Sequence, residues 1–424
     1  MVLKRITTTQ VQIGMYIHAF EGKWLNHPFW RAHFLVNDTR RLNALRSSAL
    51  DAVVIDTGRG IDLITDRSEA EGTAPATARP SAPAAPAVPM RPAPPSAATV
   101  RSGPVPIARE FGNARLTAGR ARKVISRVFL EARLGKTPRV AEVAPVVEDI
   151  HASIQRNPYA FSGLMRCKAE SEAAYQHMLS VSALMISLAR QMRLPPAETR
   201  TAGMAGLLLD IGVSRLDIDL GAHSSQIDTI DPELWHRHCA IGRDTLQTAG
   251  GVPDEVLQTV MRHHERIDGS GFPLGLSGGE IDLYSRMAAV CDSYDYLVAG
   301  AVTGSDLDPA TAMARMQAEE HGFDPEVLAR FKEALGVYPV GSFVTLRSER
   351  VAMVVDQAPG DPTLPTVRAF YSLTSGKHLT ARTIALSQCF GEDAIIGVAD
   401  LAALALPPAE ELRGQLFATL ARTG

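Results

Sequence analysis

The sequence predicts a mainly α protein, in which a helical bundle is preceded by a small α+β domain and followed by a β-rich extension. Three observations carry this reading. An alanine- and proline-rich stretch over residues 73–105 divides the chain. Beyond it, apolar residues recur at three- and four-residue spacing over residues 115–134, 141–156 and 171–192, the period of helices with one buried face. After residue 337 the pattern shortens to that of strands. The domains expected are 1–66 (N-terminal α+β), 67–105 (linker), 106–336 (helical bundle) and 337–424 (β-rich extension).

In the first part, Gln10-Val11-Gln12-Ile13-Gly14-Met15-Tyr16-Ile17 alternates as a strand does, residues 38–50 read as a helix, and Ala52-Val53-Val54-Ile55-Asp56-Thr57-Gly58 is a short apolar strand ended by turn residues. Trp24 and Trp30 are expected to pack into this small core rather than to form a recognition surface. The proline-rich stretch can neither nucleate a helix nor bury a core, so it reads as a semi-extended tether. In the bundle, Asp231-Pro232-Glu233 and Asp324-Pro325-Glu326 each supply an N-cap, a first-turn proline and an acid that suits the helix dipole. Gly336 ends the last of these helices. Residues 342–346, 351–355 and 366–371 look like short strands, and no repeat of solenoid period is present.

Composition narrows the function. A chain of 424 residues has room for two or three domains. With 43 Lys and Arg against 46 Asp and Glu, the net charge of -3 argues against a nucleic-acid-binding surface, which needs a basic excess. Cys167, Cys239, Cys291 and Cys389 lie far apart without metal-finger spacing and read as reduced thiols. No apolar run reaches bilayer-crossing length, and Met1-Val2-Leu3-Lys4-Arg5 is not followed by the apolar core of a signal peptide. The expectation is a cytoplasmic protein without a membrane or nucleic-acid partner.

The most specific segment is His263-His264-Glu265-Arg266-Ile267-Asp268-Gly269-Ser270-Gly271-Phe272-Pro273-Leu274-Gly275-Leu276. Two adjacent imidazoles supply metal ligands, and the glycine-rich turn behind them lets a substrate approach closely. The segment resembles the signature of the HD-GYP domain, whose name joins a His-Asp pair to a Gly-Tyr-Pro triplet, here Gly271-Phe272-Pro273. The resemblance continues through Gly279-Glu280-Ile281, Arg286-Met287 and Cys291-Asp292-Ser293-Tyr294-Asp295. Upstream it takes in Arg237-His238-Cys239-Ala240-Ile241-Gly242 and Tyr175-Gln176-His177. Residues 1–66 are similar to a small domain of unassigned function that often precedes HD-GYP domains, notably at Trp24-Leu25-Asn26-His27-Pro28-Phe29-Trp30.

The resemblance implies an HD-type helical bundle and a metal-dependent phosphodiesterase acting on cyclic di-GMP or a related dinucleotide in bacterial signalling, with signalling proteins as further partners. It implies His177, Asp210, His238, His263, His264 and Asp292 as metal ligands, with Asp210, His263, His264 and Asp292 at the catalytic centre and Arg286, Gly269 and Gly271 toward the substrate. Imidazole and oxygen donors without thiolate favour iron or manganese, as one or two divalent ions. His236, two residues from His238 on a helix, is expected to face solvent.

Departures from the pattern are equally informative. The family's His-Asp pair is Leu209-Asp210, so an alkyl group replaces one imidazole. His177, Asp210 and Asp292 then form one metal position, and Asp210, His238, His263 and His264 the other. The family's lysine after Asp-Ile-Gly is Val213, and an Arg-Pro-Tyr-Arg-like run is replaced by Ala301-Val302-Thr303-Gly304. Two functions of different class follow. One is a phosphodiesterase with a partly degenerate site, using Arg262, Arg266 or Arg286 as replacement charges. The other is a catalytically inactive signalling or interaction module. A generic nucleotide phosphohydrolase of the wider HD superfamily is a weaker reading, because the Gly-Phe-Pro segment belongs to the narrower family.

Overall fold

The structure is a computed structural model, and it describes residues 3–21, 34–37, 39–46, 52–61, 105–167, 173–218, 230–299, 307–318, 322–358, 361–389 and 392–423. It comprises two compact units, Met1–Thr99 and Val100–Gly424.

In the first unit, β1 (Leu3–Ile6), β2 (Tyr16–Glu21), β3 (Phe34–Leu35) and β4 (Ala52–Asp56) form an antiparallel sheet in the order β1-β4-β2-β3, accompanied by helix α1 (Thr39–Arg46). Its core is Ile6, Val11, Met15, Ile17, Val36, Leu45, Val53 and Ile55. The strand expected from Gln10 begins only at Tyr16. Residues Thr8–Gln10 are a 3-10 turn, tied by the Thr7 N–H to the Gln10 side-chain carbonyl at 3.0 Å, and the Met15 N–H turns back to the Gln12 carbonyl at 3.3 Å. Val11 and Met15 are buried as a strand's inner residues would be, but by a folded turn, which alternation cannot distinguish. β1 escaped the reading because only Ile6 of its four residues is buried. Trp24, Trp30, residue 38, residues 47–50 and nearly all of the alanine- and proline-rich tether lie outside the described residues.

The second unit is built on helices α2 (Ile107–Arg133), α3 (Val143–Arg156), α4 (Ala160–Met165), α5 (Ala173–Gln191), α6 (Pro196–Leu208), α7 (Pro232–Ala249), α8 (Asp254–Arg262), α9 (Leu283–Ala299), α10 (Pro309–Ala318) and α11 (Pro325–Leu335). Asp231 and Asp324 cap α7 and α11 through backbone N–H groups of their first turns, and Gly336 ends α11 at φ 87°. α2 begins at Ile107 rather than at residue 115. Its first turns carry Glu110, a charge that breaks an apolar pattern; here it is buried and held by Arg156 and Ser153, at 2.8 Å each.

Strands β5 (Phe343–Leu346), β6 (Arg350–Asp356), β7 (Thr366–Ser372), β8 (Lys377–Ala385) and β9 (Ile395–Val398) form an antiparallel sheet in the order β8-β7-β6-β5-β9. β8 is largely exposed on both faces, so it shows none of the continuous buried run that marks β6 and β7. Helix α12 (Ala409–Thr423) closes the chain against α2, where Phe417 stacks on Phe111 with ring centroids 4.7 Å apart. The molecule is therefore mainly α, with small sheets toward each end. Among the described residues no helix is long and apolar enough to cross a membrane.

Candidate metal centre

Six side chains from five places in the bundle converge. His177 comes from α5, Asp210 from the turn after α6, His238 from α7, His263 and His264 from the end of α8, and Asp292 from α9; all are buried. Close backbone contact makes the convergence possible. A Cβ on Gly212 would lie 2.0 Å from the His238 carbonyl oxygen, so only glycine lets the Asp210 turn lie against α7. A Cβ on Gly271 would lie 2.5 Å from the His264 carbonyl oxygen, and this glycine seats the Gly-Phe-Pro turn on the His264 backbone.

Asp210 stands between two groups of imidazoles. Its Oδ2 is 3.5 Å from His177 Nε2 and accepts from the Tyr296 hydroxyl at 3.0 Å, while its Oδ1 is 3.6 Å from His238 Nε2 and 3.7 Å from His263 Nε2. Asp292 also spans the cluster, with Oδ1 3.0 Å from His177 Nε2 and Oδ2 3.7 Å from His264 Nδ1.

Backbone carbonyls set the tautomers on one side. His238 Nδ1 donates to the Trp235 carbonyl at 2.6 Å and His263 Nδ1 to the Val260 carbonyl at 2.9 Å. Burial, reinforced by neighbouring imidazoles, pushes all three rings of this side below the usual histidine range, His263 to about 3. The neutral His238 and His263 rings therefore aim two Nε2 lone pairs at one another across 3.2 Å. Asp210 Oδ1 and His264 Nε2 are buried and lack a hydrogen-bond partner. Acceptors this close, two of them without a donor, fit a cation bound among them.

The His177 side is arranged differently. Its Nδ1 donates to Asp295 Oδ2 at 2.8 Å, and Asp295 in turn takes the Ser180 hydroxyl and pairs with Arg166 at 3.0 Å. Burial opposes charge on this ring, but hydrogen bonds to Asp292 and Asp295 outweigh it and hold His177 well above the usual range. Burial raises the Asp292 carboxyl to about 6 against the pull of His177. Burial would also raise Asp210, but the surrounding imidazoles and Tyr296 hold it low. Tyr296 stacks on the His177 ring at 4.1 Å. A ligand imidazole oriented by a carboxylate on its far nitrogen is the usual second layer of a metal site.

The donors therefore fall into two sets, within each of which the donor atoms lie within 4.8 Å of one another: His177, Asp210 and Asp292, and His238, His263, His264 and Cys239. Sequence spacing concealed the thiol, whose Sγ lies 3.5 Å from His238 Nε2. Asp295 and Tyr296 were also missed, although they stand one helical turn after Asp292, the spacing that puts side chains on one face. Arg166 carries no such signal.

His236 does not face solvent. It is half-buried and stacks on Phe272 with centroids 3.7 Å apart, and Phe272 stacks on His264 at 4.5 Å. His236 and His238 do diverge on α7, but the Gly-Phe-Pro turn covers the His236 face as well.

Of the residues expected toward the substrate, Arg286 bonds Asp324 at 3.0 Å and the carbonyls of Ile281 and Gly278 at 2.7 and 3.0 Å, so its guanidinium braces the turn. Gly269 takes φ 82° beside Ser277. Arg262 pairs with Asp282 at 3.4 Å. Arg266 bonds Ser293 at 3.0 Å, and its charge reaches Asp292, His263 and His264. Leu209 and Val213 are buried beside Asp210, and residues 301–304 lie outside the described residues.

A helical bundle that gathers imidazoles and carboxylates into one buried cluster defines a metal-binding HD domain, and residues 161–327 match the family model described as HD domain. Residues 3–143 match a domain of unknown function. The chain is similar to a cyclic di-GMP phosphodiesterase of Pseudomonas aeruginosa, with 37% identity over 403 residues, 93% of this chain and 92% of the relative. It is also similar to a 3'3'-cGAMP-specific phosphodiesterase of Vibrio cholerae (33% over 129 residues, 30% of each chain). A cyclic di-GMP phosphodiesterase response regulator of Xanthomonas campestris shares 32% over 132 residues, 30% of this chain and 33% of the relative. The chain belongs to the HD-GYP family, with a divergent His-Asp motif at Leu209-Asp210.

Proposed function

We propose that this chain is a metal-dependent phosphodiesterase that hydrolyses a cyclic dinucleotide, cyclic di-GMP above all, in bacterial second-messenger signalling. The Asp210 carboxylate supports this most directly: it turns one oxygen to each donor set, the arrangement by which one side chain serves two ions. His177, Asp210 and Asp292 would hold one ion, and the oxygen-rich set suits iron or manganese. His238, His263 and His264, with Asp210, would hold the other. Divalent ions there supply a water activated at neutral pH and a Lewis-acid hold on the phosphodiester.

The chain's own residues do the positioning. Asp295 holds the His177 ring, and the Trp235 and Val260 carbonyls keep His238 and His263 in the tautomer with Nε2 facing inward. Tyr296 orients the Asp210 oxygen nearest His177. Burial of all six side chains excludes bulk water and strengthens every charge interaction within the cluster. Arg266 contributes positive potential at the site.

Leu209 and Val213 favour a second reading, a binding module without turnover, because each removes a polar group found in the family pattern. One experiment separates the two. Protein purified without oxygen is analysed for metal, then incubated with cyclic di-GMP and with 3'3'-cGAMP. The enzyme reading expects bound divalent metal and linear or mononucleotide product, lost on chelation and restored by metal. Metal-loaded protein that binds cyclic di-GMP and returns it unchanged would establish the binding module.

A further inference from the structure

We infer that Cys239 is a protein ligand of the His238, His263 and His264 position, which makes that position a thiolate site rather than one of imidazole and oxygen donors alone. The inference rests on the reading of the cluster as a metal centre and goes beyond it in assigning a further ligand, its softness and the order in which ions are held.

The argument is geometric. An ion in tetrahedral coordination with nitrogen at about 2.0–2.1 Å and sulfur at about 2.3 Å separates its ligands by about 3.3 Å for a nitrogen pair and about 3.5 Å for nitrogen and sulfur. His238 Nε2 lies 3.2 Å from His263 Nε2 and 3.5 Å from Cys239 Sγ. One donor atom from each of His238, Cys239, His263 and His264 falls within 4.8 Å of the others, and all four residues are buried. An ordinary S–H···N hydrogen bond would satisfy His238 Nε2 alone. It would leave the His263 lone pair facing that atom, and Asp210 Oδ1 and His264 Nε2 still without partners. A cation held by sulfur and three nitrogens answers the imidazoles together, and the thiol proton leaves to solvent as the ion binds.

The consequence is an unequal pair. The three imidazoles and Cys239, with the Asp210 oxygen that faces them, give that position more donors than His177, Asp210 and Asp292 give the other, which leaves a place for water or substrate. The sulfur also turns the first position toward zinc or ferrous iron and away from manganese and magnesium.

The test loads the full-length protein with cobalt(II) and records its absorption. The wild type should show a near-ultraviolet thiolate-to-cobalt charge-transfer band that is absent from Cys239→Ala and retained in Cys291→Ala, and dialysis against chelator should leave one ion on the wild type and none on Cys239→Ala. X-ray absorption of the zinc-loaded wild type should show one sulfur neighbour, a result independent of whether any variant folds. Cobalt bound with neither the band nor a sulfur neighbour, or a band that survives in Cys239→Ala, overturns the Cys239 assignment and leaves the metal centre standing. A wild type that binds neither ion overturns both.

Discussion

The two sides of the cluster use histidine in opposite ways. On one, His238, His263 and His264 are held neutral, with the two Nδ1 protons of His238 and His263 spent on carbonyls and lone pairs turned inward. On the other, His177 lies between Asp292 and Asp295 and is held protonated. Without metal, a proton bridges acceptors on the His177 side, while the acceptors of the other side face one another. The same residue type therefore offers a cation a pre-formed cage in one place and a site occupied by a competing proton in the other. The cause is the neighbouring groups, carboxylates for His177 and carbonyls and imidazoles for the rest.

The severest way to break the comparison is Asp210→Asn, which alters a carboxylate that turns one oxygen to each side. Metal analysis should find both positions weakened, and turnover of cyclic di-GMP should fall to background. Loss confined to one ion would mean that Asp210 serves a single side. Asp295→Asn should act on one side only. Removing the carboxylate behind a ligand imidazole costs roughly 10- to 100-fold in metal affinity, so calorimetry should find one ion weakened by that factor and the other unchanged.

Stability against pH should distinguish the sides in metal-free protein. His177 lies above its ordinary value of 6.5, so its contribution is full below that pH and is lost as pH rises through the elevated value. His263 lies near 3, so the native state refuses a proton that the unfolded chain accepts between about 3 and 6.5, and stability falls as pH falls through that window. Relative to wild type, His177→Gln should be most costly below pH 6.5 and less so above it. His263→Gln should instead gain as pH drops, by at most about 1.4 kcal/mol per pH unit. Denaturant melts of both variants across the range measure this, and slopes of the same sign would contradict the contrast.

The smallest effect expected is a gain. Leu209→His places an imidazole beside Asp210 and should raise metal retention on the three-donor side, read as ions per chain after dialysis. Adding Val213→Lys should then improve cyclic di-GMP turnover more than either change alone, since a phosphate contact helps only where the reacting ion is held. A parent protein that already retains two ions and matches the double variant in turnover would remove Leu209 and Val213 as the limitation.

Much of the site was legible because its chemistry lies in short segments. His263-His264 with the glycine-rich turn stands out by residue type, whereas His238 and Asp292 are picked out only by their order in the family pattern. What was illegible depended on direction. Cys239 looked like an isolated thiol because, besides the adjacent His238, the donors grouped with it are His263 and His264, more than twenty residues away in the chain. His236 was placed in solvent by helical geometry alone, which carries no information about what packs over a face. Arg286, placed toward the substrate by the resemblance, also bonds Asp324 and two carbonyls, partners that its own motif does not reveal.

The sequence by itself determined the class of fold and the helix caps at Asp231, Asp324 and Gly336, because periodicity and capping are local properties of residue type, and the candidate ligands through the order of motifs it shares with the family. Tertiary structure alone decided which ligands share a position, which imidazoles carry protons and that Cys239 stands among them. Those outcomes depend on distances of 3 to 4 Å between atoms of separate helices and on the burial that amplifies them, and glycines at 212 and 271 let the backbones come that close.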